Sequence, residues 1–155
     1  GAGTLRSSSE QYPTAGKGAY SDDPNAPPVY VLEDDELTDG MKKVRKYAED
    51  LGKSLMGATI AVRFVKGPTR FQRESWAAAY GGRQLDFNVA NLGMQWCDEK
   101  GAVGTRRLDE LIIHEFGHHY ESNHFSSNYH EALCMLGAKL KAVALKEAKN
   151  GLVEY

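Results

Sequence analysis

Five histidines occur in this chain, and all of them fall between residues 114 and 130: His114, His118, His119, His124 and His130. Imidazole ligates transition metals and moves protons near neutral pH. Histidines used only as generic polar groups would be scattered, so the clustering points to a metal or proton-transfer site. Its centre is His114-Glu115-Phe116-Gly117-His118. On a helix a spacing of four is slightly more than one turn, which puts His114 and His118 on one face with Cβ atoms about 5–6 Å apart. Two ring nitrogens can then meet one Zn²⁺ at about 2.0–2.1 Å. Glu115 lies one position around the helix, poorly placed as a third ligand. It is well placed to take a proton from a metal-bound water and pass it to a leaving amine, so it is expected to face a cleft as general base and acid. Zinc would lower the pKa of that water towards ~7 and polarise the scissile carbonyl.

A catalytic zinc takes three protein ligands plus water, so a third ligand is needed. His124 is the first choice. It follows His114 at the spacing of the metzincin pattern HExxHxxGxxH, in which the chain turns after the helix and returns a third His. Glu121 stands where that pattern has Gly, so a left-handed turn is expected at Ser122 or Asn123 instead. The second choice is Glu131 on the following helix, although Asn128-x-x-Glu131 resembles a capping box that would occupy its carboxylate locally. His130 is a further alternative. His119 projects about 100° away from His118 and is assigned a packing or ligand-supporting role. Tyr120 and Tyr129 are near enough to supply a phenol to an oxyanion, and Tyr129 also fits a core stripe. Gly117 allows close approach of a neighbouring backbone. Met135 reads as core packing.

These residues need elements to hold them. Residues 1 to 28 are rich in Gly, Ser and Pro and read as a linker or leader, with the folded domain spanning 29 to 155. Val29 to Leu32 suits a short strand. Thr38 opens a helix to about Met56, with Met41, Val44, Tyr47, Ala48, Leu51 and Leu55 on one face, and Gly57 stops it. Thr59 to Val65 alternates as a strand. Residues 69 to 82 are ambiguous, apart from a turn at Gly81-Gly82. Gln84 to Val89 alternates as a half-exposed strand, with Leu85, Phe87 and Val89 inward and Gln84, Asp86 and Asn88 outward. Asn91 to Trp96 is a short helix or loop, and Gly101 and Gly104 mark another loop. Thr105 caps the His helix, which is expected to run to about Tyr120 with the motif in its middle. A last helix starts near Asn128, with Tyr129, Leu133, Leu136, Leu140 and Val143 as its core face, and ends at Asn150-Gly151. The fold class is α+β with a small mixed sheet.

The motif resembles that of zincin metallopeptidases over roughly residues 84 to 136. The resemblance implies a zinc-dependent hydrolase that cleaves peptide bonds in a peptide or protein substrate. It also implies that an exposed strand borders the cleft, Gln84 to Val89 being the candidate, to which substrate adds as an extended strand. More narrowly, Ile112 to His119, Asn123-His124-Phe125-Ser126 and Tyr129-x-x-Ala132-Leu133-Cys134-x-Leu136-Gly137-Ala138 look like a zincin-like domain at the end of some phage and bacterial ATP-binding proteins. That resemblance implies a piece of a longer chain. The alternative is a zinc-binding regulatory or interaction module with little catalysis, its metal closed by four protein ligands.

Composition bounds the rest. The chain has 155 residues, 41% hydrophobic and 26% charged, which suits one soluble globular domain. A formal charge of −2 gives no case for a nucleic-acid or anionic-membrane partner. No apolar run approaches the ~20 residues of a membrane helix and no secretory signal is visible, so a cytoplasmic location is expected. Cys97 and Cys134 are outside any CxxC and read as two free thiols in or near the core.

Overall fold

The structure, a computed structural model, describes residues 29–150. The linker or leader reading of residues 1 to 28 and the stop at Gly151 lie outside the described residues. The elements in chain order are β1 (Tyr30–Val31), α1 (Asp39–Met56), β2 (Ala61–Lys66), β3 (Ala78–Gly81), β4 (Gln84–Asn88), the single turn α2 (Val89–Leu92), α3 (Arg106–Gly117) and α4 (Ser127–Asn150). Short 3₁₀ turns at Asp34–Glu36 and Trp96–Asp98 lie between them. The fold is therefore α+β with a small four-stranded mixed sheet, in the order β1-β2-β4-β3. No helix among the described residues is long and apolar enough to cross a membrane.

Thr38 caps α1 by accepting a hydrogen bond from the Met41 amide, and Gly57 ends it in the left-handed conformation at φ 63°. The buried face of α1 is Met41, Val44, Ala48, Leu51 and Leu55, as its periodicity predicts, while Tyr47 of the expected face is only partly buried and donates its hydroxyl to Asp109. It packs in one core with Val62 and Phe64 of β2, Leu85 and Phe87 of β4, Leu108, Leu111, Ile112 and Phe116 of α3, and Leu136 of α4. Phe64 and Phe87 are register partners in the parallel β2–β4 pair, and their rings stack 5.4 Å apart.

The hairpin of β3 and β4 differs from expectation. Its two-residue turn is Gly82-Arg83, with φ 56° and 59°, rather than Gly81-Gly82. Two successive positive φ values match the right-handed twist of the flanking strands, and glycine relieves one of them. The strand β3 emerges from the ambiguous stretch, and its Ala78 and Ala79 are buried.

The reading of Gln84 to Val89 as half exposed is corrected. Asp86 is 1% exposed and Asn88 is fully buried. Arg63, one strand away, holds Asp86 through two hydrogen bonds of 2.9 and 2.7 Å. Asn88 accepts from the Gly67 and Ala90 amides and donates to the carbonyls of Pro68 and Trp76, so it gathers the loop from Gly67 to Trp76 over this face. A satellite cluster of Val65, Trp76 and Ala79 completes the cover. The two polar side chains are buried because their partners are supplied from elsewhere in the chain. β4 is also an inner strand, flanked by β2 and β3. The edge strand that touches α3 is β3.

The two thiols differ. Cys97 is buried, and burial pushes its thiol up to about 12, while Cys134 is exposed on α4 rather than near the core. Met135 is partly buried against the core, as its reading predicts.

Candidate metal centre

Thr105 caps α3 with its hydroxyl on the Leu108 amide, and the buried stripe runs Leu108, Leu111, Ile112, Glu115, Phe116. The regular helix stops at Gly117, three residues before the expected end, so the motif occupies its last turn rather than its middle. The chain then tightens: the amides of His118, His119 and Tyr120 bond the carbonyls three residues back. His118 keeps a right-handed helical conformation, which preserves the shared face, and the His114 and His118 rings lie 5.5 Å apart.

The third imidazole comes from the connection to α4. Glu121 accepts the Asn123 amide on its side chain, Asn123 accepts the Phe125 amide on its own, and the Ser126 hydroxyl accepts the Asn128 amide at the start of α4. This run of local bonds turns the chain without a left-handed residue. Among the described residues Arg83 is the one non-glycine with positive φ, so the expected left-handed turn at Ser122 or Asn123 is not used. Glu121 can therefore stand where the metzincin pattern has Gly. The turn returns His124 with its Nε2 3.0 Å from His114 Nε2 and its ring 4.3 Å from that of His118.

One ring nitrogen from each of His114, His118 and His124 lies within 4.8 Å of the others, so this cluster could hold a metal ion. Two nitrogens bound at about 2.0–2.1 Å to one tetrahedral ion stand about 3.3 Å apart, close to the contact seen between His114 and His124. The tautomer of His118 is fixed as well. Its Nδ1 donates to the Glu121 carbonyl at 3.1 Å, which leaves the lone pair on Nε2, a buried atom with no hydrogen-bond partner. These are the features a metal ligand needs.

The other candidates are placed elsewhere. His130 and Glu131 are exposed and outside the cluster. Ser126, not Asn128, begins the capping of α4, so the Asn128–Glu131 capping box is not formed as expected. His119 turns to the edge strand, where its Nδ1 meets the Tyr80 hydroxyl at 2.8 Å. Tyr129 is buried and its hydroxyl donates to the His114 carbonyl at 2.9 Å, so it is not disposed to serve an oxyanion. Tyr120 is exposed beside His119. Gly117 admits a side chain rather than a backbone: a Cβ there would lie 2.7 Å from Cε2 of Tyr129. Sequence reasoning missed the meeting of Tyr129 with the histidines, because Gly117 and Tyr129 belong to different helices and share no local pattern.

Glu115 also departs from expectation. It continues the Leu111–Ile112 stripe, is fully buried, and has no hydrogen-bond partner on either carboxylate oxygen. Burial raises its pKa well above the ordinary value. The three imidazoles move the opposite way. Burial, then the neighbouring His124 and His118, lowers His114 to about 3, and burial also lowers His118 and His124. All three are neutral near pH 7, the form that binds metal.

A pH dependence of the metal-free protein follows. As pH falls below the ordinary histidine value of 6.5, the unfolded chain gains protons that the folded cluster refuses, so stability is full above that pH and is lost towards about 3 for His114. Glu115 opposes this, because its raised pKa removes stability as pH climbs above 4.5. Replacing Glu115 by Gln removes this opposing contribution. Thermal denaturation of the metal-free Glu115→Gln chain should show Tm falling by several °C between pH 7 and pH 5, at up to about 1.4 kcal/mol per pH unit for each imidazole. A flat Tm over that interval would contradict the depressed values.

Comparison with protein families, with curated proteins and with solved structures finds no match to this chain.

Proposed function

We propose that this chain is a zincin-like zinc metallopeptidase domain in which His114, His118 and His124 hold Zn²⁺ and Glu115 is the general base and acid. The observation that carries the proposal is the convergence of three imidazoles from the end of α3 and the following turn, next in sequence to a buried carboxyl with no hydrogen-bond partner. When bound, zinc supplies an acidified water and a Lewis acid for the scissile carbonyl. A bound cation would favour the ionised form of Glu115, and that carboxylate would then take a proton from the attacking water and give it to the leaving nitrogen. The Glu121 carbonyl keeps His118 in the ligating tautomer. Glu115 is outside the ligand cluster, in keeping with a base rather than a ligand. A peptide or protein is the substrate class of this reading.

One observation favours the second reading, a zinc-binding regulatory or interaction module with little catalysis. Glu115 is 0% exposed, and a base sealed from solvent cannot meet a substrate without movement of its surroundings. Against a structural zinc, neither His130 nor Glu131 is in place to close the site with a fourth ligand.

The readings are separated by metal analysis followed by exposure to a peptide library. Zinc-replete protein should carry about one zinc per chain, and cleavage should be abolished by a chelator and restored by zinc. Protein without metal sinks both readings. About one zinc with no cleavage of any peptide leaves the module.

A further inference from the structure

The aromatic ring of Tyr129 lies against all three clustered histidines. Its centroid is 5.1 Å from that of His118, with the planes 30° apart. It is 5.1 Å from that of His124 and 5.9 Å from that of His114, both steeply inclined at 71° and 72°. Tyr129 is 2% exposed and stands in the first turn of α4, whereas the histidines come from α3 and from the turn. Two features seat it. The hydroxyl donates to the His114 carbonyl at the point where α3 tightens, and Gly117 leaves the helix surface open for the ring. Any side chain at 117 would meet Cε2 of Tyr129 at 2.7 Å and Cδ2 of Leu133 at 3.0 Å, so the ring would have to move.

We propose that Tyr129 is a positioning residue for the metal centre, a rigid platform seated on Gly117 that sets the relative orientation of His114, His118 and His124 before metal arrives. This rests on the reading of the three histidines as metal ligands. A planar side chain can lie at a shallow tilt over one imidazole while meeting two others edge to face. The hydroxyl ties that plane to the backbone of one ligand, so α4 cannot shift without moving the site. Metal binding to a prearranged site avoids the ordering cost that a loose one incurs. The phenol takes no part in proton transfer, since its hydrogen is committed to a carbonyl.

The test titrates zinc, and cobalt(II) as a visible probe of site geometry, into four metal-free variants and the wild type. Tyr129→Leu removes the ring. Gly117→Ala keeps every ring and displaces the platform. Tyr129→Phe keeps the ring and loses only the hydroxyl. Leu136→Ala weakens the core on the same helix, away from the histidines. Groups that support metal ligands are worth about 10–100-fold in affinity. Tyr129→Leu and Gly117→Ala should fall in that range and alter the cobalt spectrum. Tyr129→Phe should recover most of the loss, and Leu136→Ala should stay within about twofold of wild type despite lower stability. Should Tyr129→Leu fail to fold, Gly117→Ala against Tyr129→Phe decides the question. Wild-type affinity and spectrum in Gly117→Ala and Tyr129→Leu would overturn the platform, as would an equal loss in Leu136→Ala. A wild-type chain that takes up neither metal overturns the metal-centre reading itself, a result distinct from any pattern among the variants.

Discussion

Glu115→Gln should stabilise the metal-free protein at neutral pH, keep zinc binding, and lower peptide hydrolysis by at least ~10²-fold, the usual scale of a lost general base. The first effect comes from burial. Folding encloses the carboxyl with no partner on either oxygen, so the folded chain keeps a proton that the unfolded chain releases above about pH 4.5. Each unit of that raised pKa costs about 1.4 kcal/mol, and about 1 kcal/mol moves Tm by roughly 2–8 °C in domains of this size. Glutamine has nearly the same shape and nothing to ionise. Its advantage should therefore vanish near pH 4.5 and grow as pH rises. Differential scanning calorimetry of the metal-free pair across that range measures it. Zinc titration of the same two proteins tests whether Glu115 is a ligand. Loss of zinc in the variant would make it one, and a lower Tm at pH 7 to 8 would make it a structural acceptor. Either outcome sinks its role as base.

His124→Ala should weaken zinc binding by about 10²–10³-fold, because zinc free energies of about 10–16 kcal/mol in four-ligand sites come to roughly 2.5–4 kcal/mol per ligand. Glu131→Ala should stay within about twofold of wild type, because the side chain is exposed and outside the cluster. Competition titration with a chromophoric chelator resolves both. Unchanged affinity in His124→Ala, together with a large loss in Glu131→Ala, would move the third ligand onto α4.

The sequence by itself determined what short-range periodicity encodes. The face of α1 from Met41 to Leu55, its Thr38 cap, the Thr105 cap of α3 and the spacing of His114, His118 and His124 are local patterns found where they are expected, and the strand expected at Thr59 to Val65 is found at Ala61–Lys66. Tertiary structure decided everything that needed a partner far along the chain. Asp86 and Asn88 read as outward-facing, yet Arg63 and the Gly67–Trp76 loop enclose them. β3 carries small residues without a clear alternation, and its strand identity comes from pairing with β4. Its place at the sheet edge follows from β4 lying between β2 and β3, so Gln84–Asn88, within the segment that the zincin resemblance made the exposed strand, is an inner strand. Glu115 was read as facing a cleft because of its motif, but its helical phase aligns it with Leu111 and Ile112, and the core closes over it. Tyr129 was read as core packing or as an oxyanion phenol, and its contact with the three imidazoles depends on how α4 crosses α3 over Gly117. Spacing selects the groups that share a helix face, whereas packing selects the groups that share an environment, and pKa values and preorganisation are properties of that environment.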